Sequence, residues 1–268
     1  MRTALAIARK ELSIYFTTPW AYGVFTAMTA LSSFFFVNLL VKLQEVQADA
    51  RANTWAQVAE NLHAYRNLTD GVVVQLWGII SVITLFIAPF LSMRLFAEEK
   101  RNKTFELLLT APVRPIELVL GKYLGGLGII SATLGITIIF PLVLSFHGRG
   151  AESGPALDWS TVLLGYAGVL LWGATCMAVG LFISALTESQ MLAAFLSFSV
   201  LLPWMMLTGV AQATEEPVRS VLMHLSFDAQ LDSLFKGVLE VKTLVFFTSV
   251  IVFSLLLTHR TVEARRWA

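Results

Sequence analysis

Residues 72–122 read VVVQLWGIISVITLFIAPFLSMRLFAEEKRNKTFELLLTAPVRPIELVLGK, and this stretch decides the fold. A charge-free run from Val72 to Met93 gives way to a charged, helix-forming segment, and a second charge-free run opens at Tyr123. A helix rising about 1.5 Å per residue crosses a hydrocarbon core of roughly 30 Å with about 20 apolar residues. Val72–Met93 meets that length, as do Trp20–Val41, Tyr123–Phe146, Thr161–Leu186 and Met191–Ala211. Thr243–Thr258 is shorter and borrows Val241 and the snorkelling stem of Lys242.

Six spans result, at about 20–41, 72–93, 123–146, 161–186, 191–211 and 241–258. Apolar residues make up 56% of the 268-residue chain and charged residues 14%, and the apolar ones gather in blocks. A soluble protein of this size would have to bury six consecutive charge-free helices, which the hydropathy rule excludes. The expected fold class is an all-α polytopic membrane protein, with residues 1–268 forming one transmembrane domain.

Orientation follows from the Lys and Arg residues, which concentrate on the cytoplasmic side of a membrane. With both termini inside, the inner segments carry twelve of the 19: Arg2, Arg9, Lys10, Arg94, Lys100, Arg101, Lys103, Arg114, Lys122, Arg260, Arg265 and Arg266. Eleven of the 18 acids fall on the outer side. A multi-pass protein of the cell's inner membrane with cytoplasmic termini is expected. The early basic residues and Ala48-Asp49-Ala50 imitate a cleaved signal peptide, but Trp20–Val41 is a full crossing and too long for a secretory core. Cys176 is the single cysteine, so no intrachain disulfide can form.

Ahead of the first span, Leu5, Ala8, Leu12, Tyr15 and Phe16 share one helical stripe, which predicts an interfacial elbow helix over 3–18, ended by Pro19. The outer segment 42–71 is polar, and 147–160, rich in glycine, is expected to form a flexible connection. The segment 212–242 predicts two short helices tucked against the outer mouth of the spans. Thr187–Gln190 forces a tight hairpin between the fourth and fifth spans.

His63, His147, His224 and His259 all lie outside the spans, and no acid lies within one. An ion-driven carrier normally places Asp, Glu or His at membrane depth, and an intramembrane metalloprotease needs paired histidines. No HExxH and no GxxxxGK[ST] phosphate loop is present, since Ile116 stands where the first glycine of such a loop belongs. The chain is therefore not expected to be an enzyme, to bind a cofactor or metal, or to bind nucleic acid. Energy for uphill movement would have to enter through a partner. Gly121, Gly125 and Gly128, with Ser131 and Gly135, let another helix approach the third span closely.

That points back to the charged segment. Glu98, Glu99, Lys100 and Arg101 continue the second span by about a turn, and Thr104 can cap a short helix of Phe105, Glu106, Leu107, Leu108 and Leu109. Pro115 opens the helix that leads into the third span. An exposed Phe and Leu cluster beside charges fits a partner's groove. The same residues also fit a solvated connection whose leucines dip into the leaflet.

The run EEKRNKTFELLLTAPVRPIELVLGKYL resembles the segment after the second span of type 2 ABC exporter permeases, with its acidic pair, basic residues, Thr, ELLL, Pro and later GK. ARKELSIYFTTPWAY and FDAQLDSLFKGVLEVKTLVFF are similar to the gliding-motility (GldF-like) and NosY-like branch. The resemblance implies a permease that pairs with a second copy or a related permease above two ABC ATPase subunits, which bind ATP and Mg, sometimes with an accessory subunit bearing an outer domain. It makes Thr104–Leu109 the coupling helix, with Glu106 as its central acid and Glu98, Glu99 and Arg101 as flanking charges. Glu188 becomes a second ATPase contact. The family often has Gly before the Thr, where this chain has Lys103. A second reading is a membrane anchor that recruits a soluble partner without transporting; a third is an ion-driven carrier or channel.

Overall fold

The computed structural model describes residues 2–52, 68–105, 113–147 and 157–267. These residues are almost entirely helical, with no strand among them. Among the described residues six helical segments are long and apolar enough to cross a membrane: Pro19–Ala48, Thr69–Arg101, Pro115–Phe146, Trp159–Leu186, Gln190–Gln212 and Val241–Arg265. Each extends beyond its charge-free window, because a helix continues into the interface until capping or proline stops it.

The chain opens with α1 (Arg2–Thr17) and turns at Thr18 into α2 (Pro19–Ala52). Thr18 bonds its hydroxyl to the Ile14 carbonyl, and Pro19 takes the first position of the new helix. A π-helical turn at Thr69–Val74 leads into α3 (Gln75–Ser92), which passes through Met93 into α4 (Arg94–Arg101).

The third span is α5 (Pro115–Thr137) followed by α6 (Ile139–His147). Its break at Ile138 follows from Pro141, which has no N–H for the Thr137 carbonyl. The Tyr166 hydroxyl donates to that carbonyl instead, at 2.8 Å.

α7 (Trp159–Leu186) is the fourth span and the centre of the bundle. Its most apolar window is 78% buried inside the protein, against 22% for the fifth and sixth spans. Glycines allow this: a Cβ at Gly165 would lie 2.3 Å from the Trp77 ring, and one at Gly180 would lie 2.1 Å from Ser92 Oγ. Asp158 caps α7 by accepting from the Ser160 N–H and the Thr161 hydroxyl. Those bonds, Thr161's first, hold its carboxyl below the usual range.

α8 (Gln190–Met205) and α9 (Leu207–Gln212) form the fifth span, and α12 (Val241–Trp267) the sixth. Between them lie the two expected short helices, α10 (Val218–Leu225) and α11 (Phe227–Phe235). α11 packs on α7 through the fully buried Phe227, whose ring lies 4.6 Å from Trp172 and 4.5 Å from Trp204. α10 buries no residue.

α1 differs from the expected stripe. Its protein-facing residues are Ala4, Ala8, Glu11 and Tyr15, while Leu5 and Phe16 are exposed. The reason is the third span. Gly121, Gly125 and Gly128 leave a groove on α5 that admits α1 backbone to backbone, so alanines and one acid face inward. Ile7 and Leu12 pack over Gly121 and Gly128, and Leu5 and Phe16 are left on the flank. Gly135, the far end of that small-residue series, has open space around it.

Candidate functional site

Acidic and basic side chains of α1, α4, α5, the hairpin before α8 and the end of α12 meet at one end of the bundle. At their centre is Lys122, whose side chain is 1% exposed. Its ammonium lies 3.0 Å from Glu11 Oε1 and 2.8 Å from Glu99 Oε1, and 5.2 Å from the centroid of the Phe96 ring. One lysine thus ties three helices together, and two carboxylates, the buried Glu11 and the half-buried Glu99, share its charge. Tyr15 adds a hydrogen bond from its hydroxyl to the Leu91 carbonyl at 2.6 Å. Burial, with the Glu11 carboxylate nearby, pushes that phenol above the usual tyrosine range.

α4 is also fastened to the end of α7. Ser184 Oγ accepts from the N–H groups of Phe96 and Ala97, both at 3.1 Å, and donates to the Met93 carbonyl at 2.9 Å. Of these groups the Phe96 N–H is a first-turn donor with no partner inside α4, so Ser184 supplies the acceptor the break removes. Lys100 reaches the Ala185 carbonyl from the same helix.

α4 ends in a Schellman turn. The Lys103 N–H donates to Lys100 O at 3.0 Å and the Thr104 N–H to Glu99 O at 2.9 Å. Lys103, at the position where glycine is usual, is held at φ 55°. The left-handed turn is therefore kept although the glycine is missing, at an energetic cost a glycine would not carry.

Of the residues expected to form the site, Glu98 is engaged by Arg94 one turn away, with 2.9 Å between Nε and Oε2. Glu99 holds Lys122, and its Oε2 is buried with no hydrogen-bond partner. Arg101 is exposed. Thr104 does not stand alone as a helix cap: its hydroxyl donates back to Glu99 O at 3.2 Å. Phe105 is 6% exposed, edge-on to Phe96 at 6.1 Å and under the Lys100 ammonium at 5.6 Å. Glu106, Leu107, Leu108 and Leu109 lie outside the described residues. Glu188 is exposed, 3.8 Å from Arg265.

Glu11, Lys122 and Ser184 had no place in the expected site. Glu11 had one signal: it continues the spacing of Ala4 and Ala8 on α1, opposite the glycines at 121, 125 and 128 that surround Lys122 on the third span.

Two cavities flank α4. The first, about 430 Å³, is lined by Glu11, Tyr15, Arg94, Glu99, Thr104 and Lys122 among others. The second, about 460 Å³, lies between the end of α4 and the start of α8, lined by Lys100, Arg101, Lys103, Glu188, Gln190 and Met191 among others. Among the described residues no three His, Cys, Asp or Glu side chains converge as a metal centre. The arrangement fastens α4 to α1, to the third span and to the fourth span through buried ion pairs and hydrogen bonds.

A family model described as ABC-2 family transporter protein matches residues 24–227, well over half of the chain. The match runs from within α2 to the first residue of α11 and takes in the charged turn. No curated protein matches the chain.

Proposed function

The chain belongs to the ABC-2 family of transporter proteins, and from that premise we propose that it is the permease subunit of an ATP-driven exporter whose ATPases grip it at the turn after α4. Members of this family are membrane subunits that do not hydrolyse ATP and work with separate ABC ATPases. In this reading the permease pairs with a second copy or a related permease in the inner membrane. Both termini face the cytoplasm, and ATP and Mg are bound by the partner. Thr104–Leu109 forms the coupling helix, with Glu98, Glu99 and Arg101 beside it and Glu188 on the neighbouring hairpin. An accessory subunit with an outer domain completes the assembly, in keeping with the gliding-motility and NosY-like branch.

The observation that carries this reading is the way Phe105 is anchored. The first residue of the expected coupling helix is buried against Phe96, on a helix held by Lys122 to α1 and α5 and by Ser184 to the fourth span. A lever needs a stiff joint at its fixed end, and buried hydrogen bonds and ion pairs supply one. Closure of two ATPases would push on 104–109 and tilt the spans, and by reciprocity the permease would change the ATPase rate.

Glu106→Arg and Leu107→Asp test this directly. Both variants should insert into the membrane as usual and lose the ATPase on co-purification. Normal co-purification with normal ATP turnover would sink the assignment. A substrate-stimulated ATPase rate in liposomes separates a transporter from an anchor that only recruits its partner.

A further inference from the structure

The second cavity lies where three membrane-crossing segments end, at Arg101, Leu186 and Gln190, and so sits at the bilayer boundary whichever way the protein faces. Its charge is one-sided. Lys100, Arg101 and Lys103 line it against a single acid, Glu188, which Arg265 engages from outside at 3.8 Å. Lys100 is committed to the Ala185 carbonyl. Arg101 and Lys103 are exposed and have no side-chain partner among the described residues.

The opposite wall adds to the same field. It is the first turn of the 16-residue α8, where Ser189 caps Leu192. The N–H groups of Gln190 and Met191 are orphan donors at the positive end of the helix dipole. Cationic side chains and a helix start thus converge on one groove. Directly beyond it, Met191 is 72% and Phe195 67% exposed, so a polar groove passes into an apolar helix face along the membrane.

We propose that this groove binds the headgroup of an anionic phospholipid. The phosphate sits between Arg101, Lys103 and the first turn of α8, and an acyl chain lies along Met191, Leu192 and Phe195. A free anion or an acidic peptide would be served by the charges alone. The contiguous exposed apolar face is what selects a lipid. The binding is independent of transport direction; Arg101 and Glu188 are shared with the surface assigned to the ATPase, and the test therefore uses the chain without its ATPase.

The test is a lipid titration of the purified full-length chain in detergent, read by native mass spectrometry, with phosphatidylglycerol, phosphatidylcholine and inorganic phosphate as probes. Phosphatidylglycerol should be retained in preference to phosphatidylcholine. The double variant Arg101→Gln/Lys103→Gln should weaken it by about 30-fold, at roughly fivefold per surface cation. Lys236→Gln, at the other end of the bundle, should leave it unchanged, and both residues of the double variant are exposed, so their loss should not alter thermal unfolding. Equal retention of the two lipids, unchanged affinity in the double variant, or displacement by millimolar inorganic phosphate would each overturn the proposal.

Discussion

The Lys122 ammonium lies 3.0 Å from the Glu11 carboxylate, joining the start of the third span to the helix that precedes the first. Neither residue lies inside a charge-free window, yet both are buried, and with Glu99 they form the joint on which the α4 turn hangs. The cost of burying three charges is offset only while each has its partner.

Removal of the shared cation should therefore be severe. Lys122→Met leaves Glu11 and Glu99 buried without a counter-charge and should destabilise the protein by about 3 kcal/mol or more. Combining it with Glu11→Gln and Glu99→Gln should recover much of the loss. Thermal unfolding of detergent-purified variants reads both steps, and a single variant as stable as the parent would contradict the joint.

The docking of α1 depends on missing side chains. A Cβ at Gly125 would stand 2.6 Å from Glu11 Cβ, so Gly125→Ala must push the two helices apart, at about 1–3 kcal/mol. Gly135→Ala meets nothing within 4 Å and should be neutral or mildly stabilising. Cysteine cross-linking between α1 and α5 should fall only in the first variant.

At Lys103 the opposite sign is expected. Its φ of 55° suits glycine, so Lys103→Gly should raise stability by roughly 0.5–1 kcal/mol, seen as a higher melting temperature. A lower one would mean that the lysine side chain stabilises the turn by more than its backbone strain costs.

Ser184 holds three backbone groups of α4 at once. Ser184→Ala leaves the Phe96 N–H unpaired in a buried site and should cost about 1–3 kcal/mol. Hydrogen exchange should speed up first at Phe96 and Ala97, before the rest of α4 is affected.

Much of this architecture was legible because its cause is local. Charge-free runs of about 20 residues can only be buried or placed in lipid, and Val72–Met93 or Thr161–Leu186 needs no partner to say so. Pro19 and the short 187–190 hairpin were readable for the same reason: proline and chain length limit the backbone wherever they occur. The glycine series at 121, 125 and 128 announced a close helix contact without naming the helix. The stripe on α1 marks the helix but divides in the structure, because apolar side chains on a membrane protein have two favourable destinations, lipid and protein. Leu5 and Phe16 took the flank, while Ala4, Ala8 and Glu11 took the groove.

Periodicity, charge and proline by themselves thus determined an all-helical membrane protein with an elbow, a charged turn after its second span and two short helices before its last. Only the tertiary structure decided which charges of that turn are surface and which are structure. Glu99 and Lys122 look as solvated in the sequence as Arg101 and Glu188 do. Their burial depends on Glu11, 111 residues away from Lys122 along the chain, arriving at hydrogen-bond distance once the glycines let α1 come close. Ion pairing across helices is a property of distance in space, and sequence separation carries no measure of it.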